Sequence, residues 1–160
     1  MASATILIGI PGSGKSTLAR ELARLENAVI VGLDNLRGQL YGDESVQGEW
    51  AELWARAQTE MQGAIAANRS IVYDATNYRP RYRREVSAYV RSLGFAPTIG
   101  LWLNEPLWVC LMRNQYRDRR VPDEVISAMH RCLQEHPPCL QEGFDRLLYR
   151  QETRESEWLD

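Results

Sequence analysis

The sequence predicts a single α/β domain, with a five-stranded parallel sheet covered by helices on both faces. Three observations carry that expectation. Short apolar runs of strand length recur at residues 4–9, 28–33, 70–74, 98–103 and 146–149. Between them, apolar residues repeat at the three-to-four spacing of a helix. A length of 160 residues suffices for one domain with a sizeable core and is too short for a second of ordinary size. Strands alternating with helices imply a parallel sheet, and ligands then sit at the carboxyl ends of its strands.

Taken in order, residues 4–9 form a short apolar strand entering a glycine-rich turn. Residues 16–25 follow as a helix, with Leu18, Leu22 and Leu25 at helical spacing. The second strand, 28–33, ends at Asp34, after which Gly38, Gly42 and Gly48 bracket a loop or short helix. Residues 47–68 are the longest helical pattern; Trp50, Leu53, Trp54, Ala57, Met61, Ala64 and Ile65 form a stripe expected to face the core. The third strand, 70–74, precedes a helix over 81–93 that Gly94 closes. The fourth strand, 98–103, leads to a helix over 106–117. Pro122 opens another helix, which His136, Pro137 and Pro138 end, before the fifth strand. The expected domain is 1–150, with 151–160 as an acidic solvated tail carrying four acids and one arginine.

Hydrophobic content of 44% and charged content of 25% are those of an ordinary globular protein, and no apolar run approaches the ~18 residues of a membrane span. The N-terminal residues show no secretory pattern, so a cytoplasmic location and no membrane partner are expected. Cys110, Cys132 and Cys139 form no CxxC pair and fit reduced thiols. His130, Cys132, His136 and Cys139 lack a standard zinc spacing. Net charge is −2, but nine arginines stand against three acids between Arg79 and Arg120. The 19 basic residues include one lysine, Lys15.

That lysine lies in Gly9-Ile10-Pro11-Gly12-Ser13-Gly14-Lys15-Ser16-Thr17, which satisfies GxxxxGK[ST] between an expected strand and an expected helix. Glycines let backbone amides converge on a phosphate, the helix N-terminus adds positive potential, Lys15 reaches the β- and γ-phosphates, and the Ser16 hydroxyl holds a metal. ATP and Mg²⁺ are therefore the expected ligands. With no second lysine, the asparagine–lysine signature that reads guanine in GTPases cannot exist. Asp74 is followed by Ala75, not by the glutamate with which motor ATPases polarise water. A phosphotransferase instead requires a base for its acceptor hydroxyl and cations that close over the phosphates.

Asp34 and Arg37, three residues apart, face one way if a helix starts there. Asp34 then serves either as general base or as a helix N-cap. Asp74, ending a strand beside the phosphate loop, either orients Ser16 or a Mg²⁺-bound water, or belongs with Thr76 and Asn77 to a turn. Arg113, Arg117, Arg119 and Arg120 form either a lid over about 113–122 or a solvated face. Tyr78, Arg79, Arg81, Tyr82, Arg83 and Arg84 interleave rings with cations, as a strand of nucleic acid requires, or begin an exposed helix. Trp50 and Trp54 either stack on a base or pack in the core.

Over nearly its whole length the chain resembles the kinase domain of 5′-hydroxyl polynucleotide kinases. The resemblance rests on GIPGSGKST, on Asp34 with Arg37, on Asp74, Thr76 and Asn77 as DATN, on Arg113 to Val121 before Pro122, and on the later EHPPCLQEGFD. It implies a P-loop kinase fold with an arginine-bearing lid. It implies that Asp34 is the general base and that Arg37 contacts a phosphate of the acceptor. Asn77, Thr76 and Arg81 are then candidate acceptor contacts. Arg117 aligns best as the lid arginine, with Arg113 and Arg120 next. The expected partner is an RNA or DNA 5′-hydroxyl end. The competing expectations are a small-molecule P-loop kinase and a nucleotide-gated binding protein.

Overall fold

The computed structural model describes residues 1–151; the expected acidic tail lies outside these residues apart from Gln151. Five strands are present: β1 (Ala4–Ile8), β2 (Val29–Gly32), β3 (Ile71–Asp74), β4 (Thr98–Leu103) and β5 (Arg146–Arg150). They form one all-parallel sheet in the order β2-β3-β1-β4-β5. The helices are α1 (Lys15–Glu26), α2 (Leu33–Tyr41), α3 (Trp50–Ala66), α4 (Pro80–Leu93), α5 (Leu107–Gln115) and α6 (Asp123–Glu135), with a 3-10 turn at Leu140–Glu142.

All of β1 is buried, as the central strand of a sheet covered on both faces must be. The period of two sends Ile6 and Ile8 to one face, where they join Leu53, Ala57 and Met61 of α3 and Ile126 of α6. Leu7 points to the other face and meets Leu18 and Ala19 of α1. Each such side chain gains about 1.5–3 kcal/mol from burial, which fixes β1 and hence the loop that follows it. Among the described residues, no helix is long and apolar enough to cross a membrane.

Three expectations change. Gly32 caps α2, so Asp34 sits inside the first turn and is not the N-cap. Helix α5 ends at Gln115 and leaves Arg117 beyond it. Buried Asn114 explains that end: its Nδ2 donates to Val121 O at 2.7 Å, and its Oδ1 accepts from Val121 N at 3.1 Å. The amide thereby closes the loop before α6 like a backbone pair.

The third change concerns Arg83, expected either on a nucleic-acid face or on an exposed helix start. It is fully buried on α4, with Nε 2.6 Å from Glu142 Oε2 and Nη2 2.7 Å from Oε1. It also donates to Asn77 O (3.1 Å) and His136 O (2.8 Å), binding together α4, the 3-10 turn and the end of α6. A buried guanidinium is tolerable only with this degree of pairing.

Candidate active site

The phosphate loop links β1 to α1, and two glycines show why it can do so. At Gly12 φ is 85°, and a Cβ there would come within 2.5 Å of Cys110 O, so the loop presses on the backbone of α5. At Gly9 a Cβ would meet Ser13 Oγ at 2.6 Å. Gly14 caps α1 with no side-chain cap bond, and the first turn of α1 carries no acid. Its leading amides and positive dipole end are thus left for an anion.

Lys15 Nζ donates to Ile10 O at 3.2 Å. An ammonium carries three donors, so beside the Ile10 carbonyl Lys15 suits phosphate oxygens. Burial pushes its pKa down, Asp74 opposes that, Arg117 adds to it, and Asp34 opposes it more weakly. Asp74, Arg117 and Asp34 share the lining of one cleft with Lys15. Ser16 Oγ donates to Asp74 Oδ2 at 2.9 Å, across the β1–β3 junction. A hydroxyl beside a carboxylate suits Mg²⁺, which takes hard oxygen donors from one or two side chains and completes its shell with water and phosphate.

Asp34, in the first turn of α2, accepts from Arg37 Nη1 at 2.9 Å and lies 3.5 Å from Arg119 Nη1. The Arg37 side chain is 16% exposed, and its buried Nε has no partner. These groups line one cleft of about 1030 Å³ with Lys15, Ser16, Asp74, Arg113 and Arg117. A smaller cavity of about 190 Å³ adjoins the loop, between Thr17, Leu18 and Glu21 of α1 and Arg113 with Arg150.

A family model described as an AAA domain matches residues 5–136. The chain belongs to that family. Its fold is the kinase-type P-loop fold, shared with solved structures at low identity. A chain of the Pnkp1/Rnl/Hen1 RNA repair complex superposes with a TM-score of 0.75 at 23% identity, covering 90% of this chain. This AAA domain spans less than half, 46%, of that chain's length. A protein of Chloroflexus aurantiacus J-10-fl matches with TM-score 0.71 at 17% identity, covering 99% of this chain and 92% of its own. A gluconokinase from Sinorhizobium meliloti 1021 matches with TM-score 0.59 at 14% identity, covering 95% and 83%. No curated protein matches in sequence.

The expected residues of this AAA domain stand differently to the cleft. Arg113 stands on α5 and donates to Gly12 O at 3.2 Å, so it braces the phosphate loop from the body of the domain. Arg117 and Arg119 line the cleft, while Arg120 is exposed and outside the lining. The turn after α5 thus aims Arg119, not Arg120, at Asp34. Arg81 is exposed at the start of α4 and also lies outside the lining, because the same turn directs Tyr82 inward.

Thr76 and Asn77 line the cleft, and their observed bonds serve the frame. Thr76 O accepts from Gly9 N at 3.0 Å. Asn77, at φ 49°, donates from Nδ2 to Leu7 O at 2.8 Å. The EGFD segment is likewise structural: Glu142 pairs with Arg83, and Asp145 accepts from Thr98 N at 2.7 Å and Arg91 Nη1 at 2.9 Å. Cys110 is buried with its thiol pushed up to about 11, chiefly by that burial, which leaves it protonated and unreactive. Sequence reasoning missed Glu21 of α1 and Arg150 of β5, which belong to no motif and share only the lining of the small cavity.

Proposed function

We propose that this domain moves the γ-phosphate of ATP to the 5′-hydroxyl end of RNA or DNA, with Mg²⁺. The observation that carries the reading is Arg37. Its buried, unpartnered Nε lies three residues from Asp34, in the same cleft as Lys15. A carboxylate beside such a guanidinium suits an acceptor whose hydroxyl neighbours an anion, as the 5′-hydroxyl neighbours the next phosphate of a polynucleotide.

The roles follow from position. The amides at the start of α1 and Lys15 hold the β- and γ-phosphates, and the small cavity beside Arg113 and Arg150 takes the nucleoside of ATP. Ser16, with Asp74 behind it, holds the metal, whose chemistry is to neutralise charge on the transferring phosphate. Asp34 takes the proton of the acceptor hydroxyl, with Arg37 binding the phosphate that follows. Arg117 and Arg119 act as the lid that meets charge developing on the γ-phosphate. The exposed Arg79, Arg81 and Arg84 suit phosphates farther along the strand.

A second reading, a small-molecule kinase, is favoured by the commitment of Arg83 and Asn77 to the frame, which leaves fewer groups for a long acceptor. Labelled ATP offered with a 5′-hydroxyl oligonucleotide, gluconate, a hexose and free nucleosides separates the two. Transfer favouring the oligonucleotide supports the first reading. Transfer favouring a sugar or sugar acid replaces it with the second.

A further inference from the structure

Six aromatic rings run without interruption from the core to the acceptor end of the cleft. Trp54 meets Tyr73 edge-on at 6.4 Å and Tyr89 at 5.6 Å, which anchors it among buried residues. Trp50, at the start of α3, stacks on Trp54 with centroids 5.9 Å apart and planes 10° apart. Tyr82 lies 5.7 Å from Trp50, and Tyr78 lies 6.0 Å from Tyr82. Trp50, Tyr82 and Tyr78 are half-buried and line the cleft that holds Asp34 and Arg37. Packing in the core and facing the cleft are here two properties of one wall. Rings held by other rings lose little freedom when a ligand stacks on them.

The same cleft is lined by Val121, Val125 and Met129, on α6 and just before it. Aromatic faces and aliphatic side chains together suit a flat, weakly polar group. A polyhydroxylated acceptor would instead require a donor or acceptor for each hydroxyl, and the Asn77 amide is already bonded to Leu7 O. We infer that the wall of Trp50, Tyr82 and Tyr78 is a stacking subsite for the nucleobase of the acceptor's first nucleoside. This inference rests on the polynucleotide reading of the site. Stacking tolerates any base, since each has a π-face, so the subsite selects for a base and not for a sequence.

The test uses two 5′-hydroxyl oligonucleotides that differ only in the terminal residue, adenine in one and abasic in the other, with the unmodified chain, Trp50→Leu and Tyr82→Leu. In the unmodified chain the abasic acceptor should show a KM raised roughly 5- to 150-fold, the factor that stacking on an aromatic ring contributes per base. Each variant should raise the KM for the adenine acceptor towards the abasic value and leave the abasic KM and the ATP KM unchanged. Tyr82→Leu, away from the core stack, keeps the test valid if Trp50→Leu unfolds. Equal KM for both acceptors, or variants that weaken both alike, overturns the stacking subsite alone. No transfer to either oligonucleotide overturns the polynucleotide reading and the subsite with it.

Discussion

Asp34 faces two guanidinium groups at once, Arg37 at 2.9 Å from its own helix and Arg119 at 3.5 Å from the loop after α5. The second contact couples the candidate base to the candidate lid. On the proposed mechanism, an entering γ-phosphate would draw Arg119 away and free Asp34 for its acceptor.

Arg119→Ala should therefore lower kcat by about 10³-fold, as loss of an arginine at a transferring phosphate does elsewhere. Arg120→Ala, at an exposed position outside the cleft, should leave kcat near that of the unmodified chain. Steady-state kinetics of the two variants decides, and the reverse order would move the lid one residue.

Lys15→Ala and Ser16→Ala should abolish transfer while thermal unfolding stays near that of the unmodified chain, because neither side chain belongs to a core cluster. Asp34→Asn should keep ATP affinity and lose at least about a hundredfold in rate. Full turnover in Lys15→Ala would remove the phosphate-loop assignment.

Glu142→Ala should destabilise the domain by about 3–5 kcal/mol in urea unfolding, since it leaves the Arg83 guanidinium buried without its carboxylate. The double variant Arg83→Met with Glu142→Ala should lose much less than the sum of the single losses. Additive losses would mean that the pair is not coupled.

Asp145 gives a pH dependence. The Thr98 amide, and next the Arg91 guanidinium, hold its carboxyl below the usual carboxylate range. Its folded value lies under its unfolded one, so it adds stability above the unfolded value, and that increment disappears as pH falls through the folded value. Asp145→Asn should melt lower than the unmodified chain at pH ~7 and approach it below pH ~4. A gap independent of pH would contradict this.

The phosphate loop is legible in sequence because every part is a residue-type requirement within nine positions, from the glycines to Lys15 and Ser16. The strands and the long core helix are legible from period alone. Asn77, Arg83 and Glu142 are not, because their partners lie far away in the chain: Asn77 bonds a carbonyl 70 residues earlier, and Arg83 and Glu142 are 59 apart. Interleaved rings and arginines look alike whether they meet a ligand or a carboxylate from another element. The order of the arginines after α5 is not legible in sequence. Asn114 closes the loop onto Val121, so helical phase could not be carried past Gln115 to rank the arginines after Arg117, and Arg119 lines the cleft where Arg120 was expected. Asp34 was legible as a residue, but its freedom from capping depends on the backbone of Gly32.

On the proposed function, Asp34 and Arg37 receive a hydroxyl with a phosphate beside it. The acceptor dependence of Arg37→Ala tests this pairing most directly. Loss of one charge-assisted contact costs about 1.5–3 kcal/mol, or roughly 10- to 150-fold. With labelled ATP, that penalty should fall on a 5′-hydroxyl oligonucleotide and on a nucleoside 3′-monophosphate, while a nucleoside without a 3′-phosphate is already poor and changes little. An equal penalty on all three acceptors would contradict the account and leave the small-molecule kinase in its place.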